Sequence, residues 1–305
     1  MELSIIIPVF NSEKSLEQLT DEIMQELVDR MGTAFEIILI DDCSSDNSWK
    51  IIQTLSGSRT QIKGVRLSRN YGQHNSILCG INHAQGELII TMDDDLQHPP
   101  KEIHTMLAAL DDEHDVVYGT PIKQKHSLAR TLSSRLTKWV LQRAMGSEVA
   151  GQASAFRLFR RSFCESFANY QSSNINIDIM LTWVTNRFKA VKVEHLPRQH
   201  GETGYTFTKL LQHAMNMVTG FSTLPLQIAS YLGLIFALFG VGVLLYILVI
   251  YMIYGSVVPG FAFLASVISI FSGAQLLTIG IIGEYLARIH VRSMNRPSYI
   301  VREHS

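Results

Sequence analysis

Hydrophobic runs of strand length alternate with segments of helix length between residues 3 and 118. The short runs are rich in Ile and Val and apolar throughout, which is typical of strands covered on both faces. This alternation predicts an α/β fold with a mostly parallel sheet. We predict strands at Leu3–Ile7, Phe35–Ile40, Lys63–Leu67, Glu87–Met92 and Asp115–Tyr118, and helices at Glu13–Met31, Ser48–Leu55, His74–Gln85 and Lys101–Leu110.

After residue 118 the sequence pattern first adds further strands and helices to this domain and then becomes that of an amphipathic helix. A basic stretch of helical periodicity at Ser127–Met145 precedes a predicted strand at Ser154–Arg160, a helix at Ile175–Asn186 and a strand at Ala190–His195. Residues 206–226 then carry apolar side chains on one helical stripe, which favours an interfacial amphipathic helix on lipid headgroups. An ordinary helix that faces a protein core is the alternative interpretation of this last segment.

A long segment without charged side chains follows. From Leu210 to Gly283 the chain has no Asp, Glu, Lys or Arg. Two apolar runs inside it, at about 230–254 and 262–283, are each long enough to cross a bilayer, which needs about 20 helical residues. We therefore predict a two-helix transmembrane hairpin. A buried helical hairpin in a soluble protein is the alternative.

The predicted organisation is a soluble domain at 1–205, the amphipathic helix at 206–226, the hairpin at 227–287 and a cytoplasmic tail at 288–305. Basic residues flank the hairpin on both sides, whereas the loop between its helices has none. The positive-inside rule then places the soluble domain in the cytoplasm and predicts a multi-pass protein of the cytoplasmic (inner) membrane.

Composition narrows the classes of partner. The formal net charge is −1, so no global field attracts nucleic acid. Three isolated cysteines, Cys43, Cys79 and Cys164, favour a reducing compartment and predict no zinc framework. The apolar run at Leu3–Phe10 is too short for a signal peptide and has no basic region before it. The lipid bilayer is the partner that the sequence indicates.

Two predicted strands end in carboxylates, and ligands of doubly wound sheets bind at such ends. Asp93 and Asp95 share one face of an extended chain, so their carboxylates can converge if a cation neutralises them. Gln97 adds a further oxygen, and hard oxygen ligands suit Mg²⁺ or Mn²⁺, which also bind phosphate oxygens. The sequence predicts a metal site for a diphosphate here. A solvated acidic turn is the alternative.

Asp41 and Asp42, after the second predicted strand, admit two roles. One is contact with a ribose hydroxyl or a base edge, and the other is capping of the helix that begins near Ser48. We favour nucleotide contact for Asp41 or Asp42 and capping for Asp46. The chain has neither a G-x-G-x-x-G motif after its first strand nor a Walker A motif, which argues against a dinucleotide enzyme and a P-loop ATPase.

Six stretches together resemble a known family. The chain is similar to family 2 glycosyltransferases of the GT-A fold, and among them to the polyprenyl-phosphate glycosyltransferases. The resemblance spans nearly the whole chain in order, with the hairpin in the matching place. The stretches are Ile6–Asn11, Ile40–Asp46, Ser68–His74, Asp93–Pro100, Phe156–Leu158 and Gly283–Tyr285.

This resemblance implies roles for individual residues. Those implied at the nucleotide sugar are Pro8, Phe10, Glu13, Asp41, Asp42, Arg69 and Asp94. Those implied at a Mg²⁺ or Mn²⁺ ion are Asp93, Asp95 and Gln97. Those implied at the lipid phosphate are Lys123, Arg130, Ser134, Arg157 and Arg198. Those implied to be catalytic are Asp95, Arg130 and Arg198.

The implied reaction is transfer of one sugar from a nucleotide diphosphate sugar, with uridine diphosphate favoured by the resemblance, to a polyprenyl phosphate. Ala155 stands where some relatives have Asp, so a general base is missing at that position. A phosphate monoester acceptor already carries about −1.5 to −2 charge near neutral pH and needs no deprotonation. We therefore expect a single in-line displacement that inverts the sugar C1. Relatives also imply self-association.

Two other functions remain open at this stage. A processive polysaccharide synthase would need a Q-x-x-R-W motif and usually more membrane helices, and the sequence has neither. A non-catalytic membrane scaffold that keeps the fold is the second alternative. The basic segment that follows the fifth predicted strand is either a contact for anionic headgroups or a solvated helix face. The sequence leaves the identity of the sugar open.

Overall fold

A computed structural model describes residues 2–122, 153–166, 170, 175–197, 224–255 and 260–305. Its strands are β1 (Leu3–Val9), β2 (Phe35–Asp41), β3 (Ile62–Leu67), β4 (Leu88–Thr91), β5 (Val116–Pro121), β6 (Arg157–Arg160), β7 (Phe188–Val193) and β8 (Val301–His304). Its helices are α1 (Leu16–Met31), α2 (Ser48–Ser58), α3 (Gln73–His83), α4 (Glu102–Ala109), α5 (Ile177–Val184), α6 (Leu224–Tyr254) and α7 (Phe261–Ser293), with a 3₁₀ helix at Arg161–Ser166.

All eight strands form one sheet in the order β7-β5-β6-β4-β1-β2-β3-β8. The strands β3, β2, β1 and β4 are parallel neighbours, whereas β6 and β8 run antiparallel to the strands beside them. The α/β prediction with a mostly parallel sheet is confirmed, and all seven predicted strands are present with shifted ends. β8 was not predicted from the sequence.

The sheet is covered on both faces because its central strands are apolar on both sides. Ile5 and Ile7 of β1 belong to one buried cluster with α1 and α2, while Ile6 points into a second cluster with α3. α3 lies so close to β1 that a Cβ atom on Gly80 would collide with the Ile6 side chain. This close approach packs α3 against β1, and the first turn of the same helix borders the cavity described below.

The described residues divide into two compact units, Met1–Gly204 with Asn295–Ser305 and Tyr205–Met294. The second unit contains α6 and α7, which are long and apolar enough to cross a membrane. Both helices are unburied over those segments and far from the N-terminus, unlike the core helix of a soluble protein or a signal sequence. Pro225 lies in the first turn of α6, where its missing N–H is tolerated.

The helices of the hairpin prediction are confirmed in type and are longer than predicted. α7 continues past Gly283 to Ser293, and Arg288 pairs with Glu284 one turn away at 2.8 Å. The aromatic rings of Phe236 and Phe271 meet between the two helices. The predicted helix at Ser127–Met145 and all but the last residues of the predicted amphipathic helix lie outside the described residues.

Candidate active site

The chain reverses its direction of winding between β1 and β4, and ligands of such sheets bind at the carboxyl ends of the strands at this point. A cavity of about 240 Å³ opens there. It is bordered by the ends of β1, β2 and β4, by the loop after β3 and by the first turn of α3. The lining residues are Pro8, Val9, Phe10, Asp42, Asn70, Gly72, Gln73, Ser76, Asp93 and Asp94.

The loops at this edge of the sheet are held in an uncommon backbone conformation. Asn11, Cys43 and Leu96 have φ of 56°, 61° and 61°, in the left-handed region that L-residues seldom occupy. These residues follow β1, β2 and β4 respectively. Backbone strain of this kind persists where surrounding contacts fix it, and it clusters at functional sites.

Asp94 joins the loops after β1 and β4. Its carboxylate accepts hydrogen bonds from the Ser12 hydroxyl and from the backbone N–H of Phe10. Burial raises the pKa of Asp94, and these two bonds oppose that rise. Asp94 therefore fixes the backbone at Phe10, whose half-exposed side chain lines the cavity. Contact of Asp94 with the nucleotide stays a prediction.

Asp93 and Asp95, the proposed metal ligands, lie in the same turn after β4. Gln73 donates from Nε2 to Asp93 Oδ1 at 2.6 Å, and the Gln97 N–H donates to Asp95 Oδ1 at 3.2 Å. Gln73 has no counterpart in the residue roles inferred from the sequence, although it lies within the matched Ser68–His74 stretch. Within the part of the chain that the structure describes, no three His, Cys, Asp or Glu side chains converge on a metal position.

The backbone of Gln97 ties the metal motif to the segment after β7. Leu196 donates its N–H to the Gln97 carbonyl at 2.9 Å, and Gln97 Nε2 donates back to the Leu196 carbonyl at 3.3 Å. The next side chain, His98, stacks on Phe156 at 5.1 Å and meets His195 edge-on at 5.1 Å. Burial first, and the His195 ring second, lower the pKa of His98 to about 4. His98 is therefore a weak base at neutral pH.

Asp41 differs from its predicted role because its side chain is fully buried behind the cavity wall. Asp41 Oδ1 accepts the Ser44 N–H at 3.2 Å, and Oδ2 lies 3.1 Å from Arg66 Nε. Burial raises the pKa of Asp41, against the hydrogen bonds from Ser44 and the charge of Arg66. Direct contact of Asp41 with a nucleotide is thus corrected to a supporting position. Arg66 was missed, and only its place two residues before Ser68 could have drawn attention to it.

Asp42 borders the cavity, but its carboxylate accepts hydrogen bonds from the neighbouring loop. Its two oxygens accept the backbone N–H groups of Tyr71 and Gly72 at 2.7 and 2.8 Å. Burial raises the pKa of Asp42 in spite of these bonds. Asp42 therefore shapes the loop that delivers Asn70 and Gln73 to the cavity, which is a different role from the capping of α2.

Asp46, Glu13 and Arg69 lie beside the cavity rather than on its lining. Asp46 accepts the Ser48 N–H at 3.0 Å at the start of α2. The N-cap residue is Asn47, however, and its side chain makes no capping hydrogen bond. Glu13 accepts both N–H groups of Asn47 at 3.0 Å, which ties the loop before α1 to the same helix. The exposed Arg69 guanidinium lies over the Tyr71 ring at 4.7 Å.

Arg157 is not available to a lipid phosphate in this structure. Its guanidinium is 3.1 Å from Asp178 Oδ1, and the two side chains are only 3% and 13% exposed. Tyr118 donates its hydroxyl to the same Asp178 oxygen at 3.0 Å. The phosphate role is corrected to a buried ion pair. The other predicted phosphate ligands, Lys123, Arg130, Ser134 and Arg198, lie outside the described residues.

Comparison with known proteins assigns the chain to a family. The sequence model of the family described as glycosyl transferase family 2 matches residues 4–167, which is more than half of the 305 residues. The chain belongs to glycosyl transferase family 2. It is therefore a glycosyltransferase, and the family resemblance stated from the motifs is confirmed.

One curated relative of this family 2 glycosyltransferase matches almost end to end. It is the undecaprenyl-phosphate 4-deoxy-4-formamido-L-arabinose transferase of Shewanella sediminis, which is 34% identical over 304 residues. The match covers 99% of this chain and 92% of the relative, so it includes both candidate membrane helices.

Solved structures of other proteins share the fold. Glucosyl-3-phosphoglycerate synthase from Mycobacterium tuberculosis, in complex with Mn²⁺, uridine diphosphate and glucosyl-3-phosphoglycerate, aligns with a TM-score of 0.51 at 15% identity. The alignment covers 72% of this chain and 77% of that one. A mycobacterial protein aligns with a TM-score of 0.52 at 14% identity, over 72% of both chains. At these identities the likeness concerns the GT-A fold.

Proposed function

We propose that this glycosyltransferase moves one sugar from a uridine diphosphate donor to undecaprenyl phosphate at the cytoplasmic face of the inner membrane. The observation that carries the proposal is the cavity at the switch point, where Asp93 and Asp94 meet the first turn of α3 in a chain that also holds two candidate membrane helices. The end-to-end similarity to an undecaprenyl-phosphate transferase supports the acceptor.

A divalent ion fits the donor set at this cavity. Asp93 borders the cavity and Asp95 follows in the same turn, so two carboxylates and the Gln97 amide oxygen can serve as hard oxygen ligands. Mg²⁺ is usually bound by one or two carboxylates together with substrate phosphates, so a cluster of three protein carboxylates is not needed. When bound, Mg²⁺ or Mn²⁺ offsets the negative charge on the leaving diphosphate.

The protein would act on the donor by positioning. Asp42 and Asp94 hold the loops that border the cavity, and the first turn of α3 presents Gln73 beside Asp93. Holding the reacting groups in line removes much of the entropic barrier to a reaction between two bound molecules. Phe10, about half exposed at the cavity wall, would pack against the base of the nucleotide.

The acceptor needs no general base. An oxygen of undecaprenyl phosphate forms the bond to the sugar C1, the bond from C1 to the diphosphate oxygen breaks, and uridine diphosphate leaves with the electron pair. Since the phosphate is mostly ionised near neutral pH, no proton has to be removed. Ala155, two residues before β6, and the weakly basic His98 agree with this chemistry. Arg130 and Arg198 are proposed to hold the acceptor phosphate.

The test is transfer by the full-length protein in vesicles that contain undecaprenyl phosphate. Uridine diphosphate sugars, beginning with 4-deoxy-4-formamido-L-arabinose, are supplied with Mg²⁺ or Mn²⁺, and the lipids are read by mass spectrometry. We expect the mass of one sugar on the lipid, with inverted configuration at C1. Asp93→Asn should lower turnover by about 100-fold, as loss of one electrostatic stabiliser typically does.

Asp112→Asn is the matched control, because Asp112 is exposed in the loop before β5, and it should transfer at the wild-type rate. A polymer as product would favour a processive synthase instead. Absence of any glycosylated lipid with every donor would favour the non-catalytic scaffold, and retained configuration at C1 would exclude the single displacement.

A further inference from the structure

The last described strand, β8, belongs to the half of the sheet that contains β1, β2 and β3. β8 pairs antiparallel with β3, and Glu303 lies opposite Arg66 in the register. Backbone bonds extend the pairing on both sides, from the Ser68 N–H to the Ile300 carbonyl at 2.9 Å and from the Ser305 N–H to the Gly64 carbonyl at 3.0 Å. β8 therefore covers an edge of the sheet that would otherwise expose unpaired backbone groups.

Arg66 lies between two carboxylates from opposite ends of the sequence. Its Nε is 3.1 Å from Asp41 Oδ2, and its Nη1 donates to Glu303 Oε1 at 3.1 Å. The guanidinium also lies over the Trp49 ring, 5.6 Å from its centroid. Exposure falls along the row, from 39% for Glu303 to 21% for Arg66 and 0% for Asp41.

The contact between Arg66 and Asp41 joins two buried atoms that lack other partners among the described residues. Among the described residues, neither Asp41 Oδ2 nor Arg66 Nε has a well-aligned hydrogen-bond partner, so the two atoms satisfy each other only through their charge. A buried carboxylate without its cation is costly, because the interior screens and solvates charge poorly. Glu303 contacts the outer side of the same guanidinium whose Nε faces Asp41.

Asp41 in turn holds the loop that forms one wall of the cavity. Its Oδ1 accepts the Ser44 N–H at 3.2 Å, and Ser44 Oγ accepts the Asn11 N–H at 2.9 Å. Asn11 Oδ1 accepts the Ser45 N–H at 2.8 Å, which closes a reciprocal clamp between the loops after β1 and β2. Phe10, the residue before Asn11, lines the cavity.

We infer that Glu303 is a positioning residue of the donor site: by fixing Arg66 against Asp41, the C-terminal strand sets the shape of the cavity wall at Phe10 and thereby the affinity for a nucleoside diphosphate. This inference rests on the proposed function, since it assumes that the cavity binds the donor. Glu303 itself does not touch the ligand.

The test is calorimetric titration of the purified full-length protein with uridine diphosphate and Mg²⁺. We expect Glu303→Gln to weaken binding by about threefold to tenfold, the fold-change that corresponds to the loss of a typical intramolecular hydrogen bond. Arg302→Gln, which removes an exposed charge from the same strand, should bind as the wild type does. The melting temperatures of both variants should match the wild type.

A double-mutant cycle separates this positioning role from simple docking of the strand. If Glu303 acts through Arg66, Glu303→Gln should have no further effect on the dissociation constant in an Arg66→Gln background. In the steady state, Glu303→Gln should raise KM for the donor by the same factor and leave kcat within about twofold. This comparison of KM with kcat needs only the Glu303→Gln variant, so it remains measurable if Arg66→Gln does not fold.

Equal affinities of the wild type and Glu303→Gln would overturn the inference while leaving the proposed function intact. An undiminished effect of Glu303→Gln in the Arg66→Gln background would overturn it as well. A wild-type protein that binds no uridine diphosphate would remove the proposed function, and the inference with it.

Discussion

At the residue scale, buried ion pairs explain several charges that pattern alone assigns to ligands. Arg157 and Asp41 both fall in motifs that imply ligand contact, yet their charged atoms face Asp178 and Arg66 inside the protein. A motif records which residue types occur together, whereas the partner of a charged group depends on which distant strand or helix lies beside it. At both positions the structure shows an ion pair with a distant segment of the chain.

Arg157 gives a prediction at this scale. Arg157→Gln should destabilise the protein by about 3 to 5 kcal/mol, because it leaves the Asp178 carboxylate buried without its cation. Thermal unfolding in detergent measures the loss. Asp178→Asn added to the same chain should restore part of the stability, since it removes the unpaired charge. Normal stability with reduced transfer to the lipid would instead support the phosphate contact implied by the family resemblance.

At the element scale, one carboxylate joins three segments at the amino ends of the central strands. Glu36 of β2 accepts the Ser4 hydroxyl at 2.6 Å, the Lys63 ammonium at 2.7 Å and the Gln85 N–H at 2.7 Å. Although burial opposes ionisation, these bonds outweigh it, and the pKa of Glu36 lies below its ordinary value of 4.5. The parallel strands are thus tied together at the edge opposite to the cavity.

Glu36→Gln should lower the free energy of unfolding by about 1.5 to 3 kcal/mol at neutral pH, because the amide cannot accept from Lys63 as a carboxylate does. The depressed pKa means that the unfolded chain binds this proton more readily than the folded one. Its stabilisation is therefore present above about pH 4.5 and is lost as the pH falls through the lower folded pKa.

Melting temperatures measured from pH 7 to pH 3 test this linkage. The difference between the wild type and Glu36→Gln should shrink toward the acid end. Glu17→Gln, at an exposed position in the first turn of α1, should follow the wild type throughout. If the melting temperatures of the wild type and Glu36→Gln differed by the same amount at every pH, the charge of Glu36 would not contribute to stability.

At the scale of the whole molecule, the chain combines a compact mixed sheet with two apolar helices whose surfaces are uncovered in the structure. An exposed apolar surface of this size requires lipid or another apolar partner. The chain then returns from α7 to the sheet through β8, so the last described strand belongs to the same unit as the first.

The orientation in the membrane can be tested with single cysteines. Burial raises the pKa values of Cys79 and Cys164 to about 12, so these thiols react slowly, and Cys43→Ser removes the third. In that background, Gly260→Cys at the start of α7 should react with an impermeant maleimide added to intact spheroplasts. Asp112→Cys, in the soluble unit, should react only after lysis. The reverse pattern would contradict the positive-inside assignment.

The sequence by itself determined the features that depend on short-range pattern. Apolar runs such as Phe35–Ile40 predicted the parallel strands, and the uncharged stretch from Leu210 to Gly283 predicted the two candidate membrane helices. Asp93 and Asp95 indicated the edge of the sheet where the candidate site lies. Each of these signals is contained within a few turns or strands of chain, where periodicity and charge act directly on local structure.

Only the tertiary structure decided which of the charged residues pair with one another. Glu303 meets Arg66, Arg66 meets Asp41, and Gln73 meets Asp93 through contacts between segments that are distant in sequence. The energy of a charged group depends on its burial and on its nearest partner, and neither quantity follows from neighbours along the chain. For this reason the edge of the sheet that holds the candidate site could be proposed from the sequence, whereas the division of its residues into cavity lining and buried support could not.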